Sequence, residues 1–135
     1  MLGSGQGVFM IILTKETARF RLRITITRLG NDMSVTLSGG DTPHIGAQAL
    51  AIPYPSLDSS ATTDASVSLI VVTGHKEDNL ARNTAYTLAT RFNCVASVSC
   101  GIHIDNATTQ EINNILDVSN ALLSEAIHSM EKQNI

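Results

Sequence analysis

From Phe20 onward the chain alternates strictly: Phe20, Leu22, Ile24 and Ile26 are apolar, and Arg21, Arg23, Thr25 and Thr27 between them are polar. A period of two belongs to a strand with one buried and one wet face. After "LGND", Met33, Val35 and Leu37 alternate with Ser34, Thr36 and Ser38, so residues 20–38 are expected to form a hairpin that Gly39 and Gly40 end. "IGAQALAIP" predicts a third strand, closely packed through its alanines and Gly46, and stopped by Pro53 and Pro55, which cannot donate to a central ladder. "SLDSSATTDAS" is polar and predicts a loop. "VSLIVVTG" is an unbroken apolar run, the pattern of a central strand covered on both faces.

The period then changes. Leu80, Ala81, Thr84, Ala85, Leu88, Ala89 and Phe92 fall on one stripe of a helix over residues 76–92, with Glu77 and Asp78 in the first turn, where the helix dipole favours them, and Asn93 as its stop. "CVASVSCGIHI" returns as a strand. Thr108 followed by Glu111 is a capping-box pattern that opens a last helix, and Ile112, Ile115, Leu116, Leu122, Leu123, Ala126, Ile127 and Met130 predict one long apolar face against the sheet. These elements define an α+β class: a single domain over residues 19–135, with a mainly antiparallel sheet of about five strands and two helices packed on one face. A doubly wound fold fits less well, because the first half supplies strands without crossover helices. Residues 1–18 are set apart as a partly flexible N-terminal segment, its "MLGSGQG" start outside the fold argument. A sheet apolar on both faces with only two helices leaves one face to cover, so a homo-oligomer is expected.

Composition narrows the function classes. A chain of 135 residues is long enough to bury roughly two-thirds of its unfolded surface around one core. The net charge of -3 gives no pull toward a phosphate backbone or an anionic membrane, so neither nucleic acid nor a membrane is expected as a partner. The charge is uneven: within residues 1–40, Lys15, Arg19, Arg21, Arg23 and Arg28 face only Glu16 and Asp32, leaving +3 there and -6 beyond. Arg19, Arg21 and Arg23 share one strand face, a solvated surface in the simplest reading and a guard against edge pairing if the strand lies at an edge. Cys94 and Cys100 read as residues of one strand about 20 Å apart, too far to pair. With the "VFMIIL" run too short and lacking a preceding basic residue for a secretory signal, the cytoplasm is the expected compartment.

Candidate chemistry gathers at three histidines near expected strand ends. A strand would put Ser99, Gly101, His103 and Asp105 on one face, making His103 and Asp105 neighbours, an arrangement that fixes an imidazole's tautomer; a histidine bonded only to its own loop is the plainer alternative. His75 follows Gly74 and precedes a helix, where free N–H groups favour anions, although "TGHKED" lacks any nucleotide fingerprint. His44 follows "SGGD", whose glycines, Gly40 among them, could expose amides to a phosphate or ring. His44, His75 and His103 with Asp41 and Asp105 have the composition of a zinc or iron site, but no local ligand spacing. Ser66, Ser99 and Cys100 are the nucleophile candidates; no G-x-S-x-G elbow accompanies them, and Cys100 is expected to face away from His103. His128 reads as a residue at the edge of the last helix's polar face.

The segments "PHIGAQALAIPYPS", "SLIVVTGHKEDNLARNTAYTLA" and "GIHIDNATTQEI" together resemble the LpdD-like prenylated-flavin chaperones, accessory proteins of UbiD-type gallate and hydroxyarylic-acid decarboxylases. The resemblance covers about residues 20–130. It implies a non-catalytic helper in aromatic-acid metabolism that carries prenylated FMN from a flavin prenyltransferase and assists maturation of the decarboxylase. The expected cofactor-binding positions are His44, His75, His103 and Asp105 with Gly74 and Gly40, and the ring would need an apolar wall, which Ile45, Ile102 and Tyr54 could supply. The alternatives are a metal-dependent enzyme using His44, His75 and His103, and a purely structural decarboxylase subunit.

Overall fold

The computed structural model describes residues 9–58, 61–72 and 77–133. Along them run β1 (Phe9–Glu16), β2 (Arg21–Leu29), β3 (Asp32–Gly40), β4 (Ala47–Pro55), β5 (Thr63–Val71), α1 (Asp78–Phe92), β6 (Ala96–His103) and α2 (Thr109–Lys132). One sheet takes the order β1-β2-β3-β6-β4-β5, antiparallel throughout except for the β3–β6 pair. The β2–β3 hairpin forms in the register its alternation predicts, with Ile24 opposite Leu37 and Thr25 opposite Thr36.

That register carries one apolar row after another to the same face. Leu22, Ile24 and Ile26 of β2 join Met33, Val35 and Leu37 of β3, Val98 and Cys100 of β6, and Ala47, Ala49 and Ala51 of β4, all buried. Both helices cover this face. α1 lies over β4, β5 and β6 on Leu80, Ala81, Thr84, Ala85, Leu88 and Ala89, and the alanines beneath it leave room for its backbone to come close. α2 packs on β1 and β2 through Leu122, Leu123, Ala126, Ile127 and Met130. Each large apolar side chain so removed from water contributes about 1.5–3 kcal/mol. Asn93 ends α1 in the left-handed conformation, and Thr108 and Glu111 close the reciprocal capping box that starts α2.

The structure departs from the sequence expectations at several places. There are six strands rather than about five, because residues 9–16, set aside with the N-terminal segment, form β1 and pair along the whole of β2. β2 is therefore an inner strand, and its arginines guard no edge. The "VSLIVVTG" run does not form the centre of the sheet: its residues 67–71 belong to β5, an edge strand whose Ile70 is 75% exposed, and the inner position falls to β6. Pro53 and Pro55 lie inside β4 rather than beyond it, tolerated because the β6 ladder ends at Ala51 opposite Ala96. Finally, only the C-terminal half of the α2 stripe meets the sheet; Ile112 and Leu116 stay about half exposed. Cys94 precedes β6 rather than lying within it, and both cysteines are free and buried.

Candidate functional site

Three segments meet at the end of β6: the link from β3 to β4, the turn after His103, and the start of α1. The link is drawn tightly over the sheet. Gly46 N–H donates to the Cys100 carbonyl at 2.9 Å, and a Cβ on Gly101 would stand 1.6 Å from the His44 carbonyl oxygen. Only a glycine at 101 lets that backbone pass. His44 is held on both nitrogens: Nδ1 donates to the Thr42 carbonyl at 3.0 Å, and Nε2 lies 3.0 Å from Glu77 Oε1. Because a carbonyl only accepts, Nδ1 is the donor of that bond, and the Glu77 carboxylate faces Nε2.

Glu77 is buried where α1 begins and also accepts the Ile102 N–H at 3.3 Å. It makes no side-chain cap to its own helix. On the other side of the link, His103 Nε2 meets Asp105 Oδ1 at 2.9 Å, which leaves Nδ1 as the acceptor of the neutral ring. The two imidazoles lie edge to face, with centroids 6.4 Å apart. Gly40, at φ +80°, is the register partner of His103, and a Cβ there would strike the His103 carbonyl. The amides of Asp41 and Thr42 donate to that same carbonyl, so the "SGGD" glycines let the loop pin the strand end rather than present amides outward.

A cleft of about 450 Å³ opens beside His103 and Glu77, between the start of α1 and the first turns of α2. Its apolar wall is Ile102, Ile104, Ala107, Ile112, Ile115 and Leu116. This explains the half-covered α2 stripe: the periodicity that predicted an apolar helix face is correct, but its N-terminal half borders a cleft. A second hollow of about 510 Å³ between β5 and α1 contains none of the histidines. Ile45 is largely exposed and does not line the cleft, and Tyr54 lies near the far end of β4, opposite Asp64. The structure thus brings His44, His103, Asp105 and Gly40 together. Gly74 and His75 lie outside the described residues, and so does the third ligand of the metal alternative. Among the described residues, no group of three or more His, Cys, Asp or Glu side chains is arranged to hold a metal ion. Burial, with the Glu77 charge adding to it, pushes the Cys100 thiol up to about 12, so it stays protonated and unreactive near neutral pH.

Sequence reasoning assigned Glu77 only a dipole role and gave Arg19 a solvated face. Arg19 instead bonds both Asp41 oxygens, the Asp105 carbonyl at 3.0 Å and Glu111 at 3.1 Å, while Asp41 accepts the Asp105 N–H at 2.9 Å. This clamp fixes the turn that aims Asp105 at His103. The Arg19 guanidinium, followed by the Asp105 amide, holds the Asp41 carboxyl below the usual carboxylate range. A lowered folded pKa stabilises above the unfolded value and is lost as pH falls through the folded one. A carboxyl NMR titration should therefore place Asp41 below the ordinary aspartate range in the wild type and move it upward in Arg19→Ala. An unmoved midpoint would remove Arg19 from this role.

The fold and the cleft together define a two-layer α+β domain with one apolar cleft beside the histidine-bearing end of β6. The chain belongs to the prenylated flavin chaperone LpdD-like domain family, whose model matches residues 16–131. Its fold is similar to that of a chain in the crystal structure of a novel chaperone complex for yeast 20S proteasome assembly, with a TM-score of 0.56 and 18% identity over 93% of this chain and 96% of that one. No curated protein matches the chain significantly. Among the described residues, no helix is long and apolar enough to cross a membrane.

Proposed function

We propose that the chain is a non-catalytic carrier that holds prenylated FMN in the cleft between α1 and α2. It receives the cofactor from a flavin prenyltransferase and assists maturation of a UbiD-type aromatic-acid decarboxylase, in the cytoplasm and as a homo-oligomer. The observation that carries this reading, beside the family membership, is the two-part lining of the cleft. An apolar wall of isoleucines and Leu116 suits a fused ring bearing an isoprenoid addition, and 450 Å³ lies within the range of small-molecule sites. At its polar end the cleft is lined by His103, which offers an acceptor, and by Glu77 and Asn79, with His44 behind Glu77 at 3.0 Å, a mix of donors and acceptors that suits the edge of a flavin ring. Gly40 and Asp105 serve by fixing His103. Gly74 and His75, which come just before Glu77 in the sequence, are proposed to border the phosphate where the first amides of α1 have no helical acceptor.

Titration with prenylated and ordinary FMN, followed by flavin fluorescence, tests this directly. Ile112→Glu and Leu116→Glu place a carboxylate in the apolar wall at half-exposed positions, so the fold should survive while affinity falls at least tenfold. Absence of binding to either flavin, together with no effect on decarboxylase activation, would overturn the reading.

A further inference from the structure

The face of the sheet opposite the helices is bare among the described residues, and its composition follows a plan. Two rows cross it from edge to edge: Ile12, Thr25, Thr36, Ser99, Gln48 and Ile70 in one, and Met10, Thr27, Ser34, Ser97, Leu50 and Ser68 in the next. Both rows are uncharged throughout and hydroxyl-bearing in the middle; the first is apolar at both margins, and the second carries Met10 at one margin and Leu50 next to Ser68 at the other. Gln48 already ties the middle together, donating to Ser97 at 2.9 Å and accepting from Ser99. Met10, Ile12, Leu50, Ile52 and Ile70 are between 39% and 75% exposed, far more clustered apolar surface than scattered single residues would give.

We propose that this face is the contact surface for a second copy of the chain, closing two sheets into a sandwich with the helices outside. Three observations select a copy of itself over an unlike partner. First, the face is self-complementary. A two-fold axis in its plane and across the strands sets each margin on its own counterpart and neutral centre on neutral centre, the isologous arrangement that closed dimers require. Second, no like charges meet in these two rows. Charged side chains stand toward the ends of the strands, Arg23 with the Arg21–Glu16 ion pair at one end and Asp32 at the other. A two-fold across the strands brings Arg23 of one copy toward the aspartate of its partner. Third, the size is right: six strands about 4.8 Å apart and rising about 3.3 Å per residue make a face of about 24 by 27 Å. With side-chain relief this approaches the ~800 Å² per partner of stable interfaces, and stacked sheets about 10 Å apart bury their inner faces in this way.

The proposal rests on the homo-oligomer of the reading above and is independent of its flavin part, because the cleft lies on the helix side of the sheet. Sedimentation velocity on the full chain should give a dimer at micromolar concentration. Ile12→Glu at one margin and Thr36→Arg at the centre, where a cation faces the middle of the other copy, should each weaken the dimer by at least tenfold, with far-UV circular dichroism unchanged. Ser124→Glu, on the exposed side of α2, should leave it intact. A wild-type monomer, a dimer indifferent to both face variants, or a monomer that uses this face only to bind the decarboxylase would each overturn the proposal. Flavin titration of the monomeric variants keeps a failure of this interface distinct from a failure of the carrier reading.

Discussion

Gly101→Ala is expected to destabilise the chain by about 3 kcal/mol, or roughly 10 °C in melting temperature for a domain of this size, and to abolish flavin binding. The cause is steric and local. The added methyl would meet the His44 carbonyl oxygen at 1.6 Å and its carbonyl carbon at 2.3 Å. These are backbone atoms, so no side-chain rotation relieves the overlap. Gly101 is not in the left-handed region that only glycine adopts readily, so the whole effect comes from the close approach. Overpacking of this kind costs about 1–3 kcal/mol. Lifting the link also draws His44 off Glu77 and strains the Gly46–Cys100 hydrogen bond, adding a loss of about 1 kcal/mol or more. Urea denaturation measures the stability and flavin titration the site. A variant within about 0.5 kcal/mol of the wild type would mean that the link is free to move, and the proposed placement of His44 over β6 would fail with it.

What could be read in advance, and what could not, divides by the range over which each signal acts. The hairpin, both helices and the capping box at Thr108 are local patterns, set by neighbours within one turn or one strand, and each stands where its residues predict. The errors arose where an apolar run had two possible causes. β5 turns Ala65, Val67 and Leu69 to the helices and Ser66 and Ser68 to the open face, but Ile70 and Val71 at its end extend the apolar run and made an edge strand resemble a buried one. β1, apolar on both faces through Met10 and Ile12, was set aside with the N-terminal segment. The same ambiguity split the α2 stripe, since periodicity marks which side of a helix is apolar and not what covers it.

The site was legible in outline for a similar reason. His103 and Asp105 are two residues apart, and a strand's period alone predicts their pairing. That His44 joins them depends on β3, β4 and β6 lying side by side, which follows only once β6 inserts between the other two. Glu77 and Arg19 carried no signal of their own. An acidic residue before a helix satisfies the dipole rule whether or not it faces inward, and an arginine beside a strand of arginines reads as solvent surface. Their partners, His44 for one and Asp41 and Glu111 for the other, are distant in sequence, and only the folded chain brings them within bonding distance.

Replacing Glu77 should separate its two roles. Glu77→Ala and Glu77→Gln both remove the charge at the start of α1, a dipole contribution of about 0.3–1 kcal/mol that the two variants lose alike. They differ in what remains for the Ile102 N–H and for His44. Alanine leaves that buried amide without its carboxylate acceptor, a loss of about 1–3 kcal/mol. Glutamine keeps an oxygen for the amide and can offer His44 Nε2 a donor, but it sets no carboxylate against the ring. The expected order is therefore wild type, then glutamine, then alanine, with at least ~1 kcal/mol between the variants. A double-mutant cycle of Glu77→Ala with His44→Ala should yield a coupling energy above ~1 kcal/mol. Flavin affinity should follow the placement of the imidazole and not the stability: Glu77→Gln, although well folded, should bind more weakly than the wild type. If glutamine and alanine are equally destabilising and the cycle is additive, Glu77 does no more than complement the helix dipole. Glu77 would then line the cleft beside His103 without holding His44, which would rest on its backbone and on the Thr42 carbonyl.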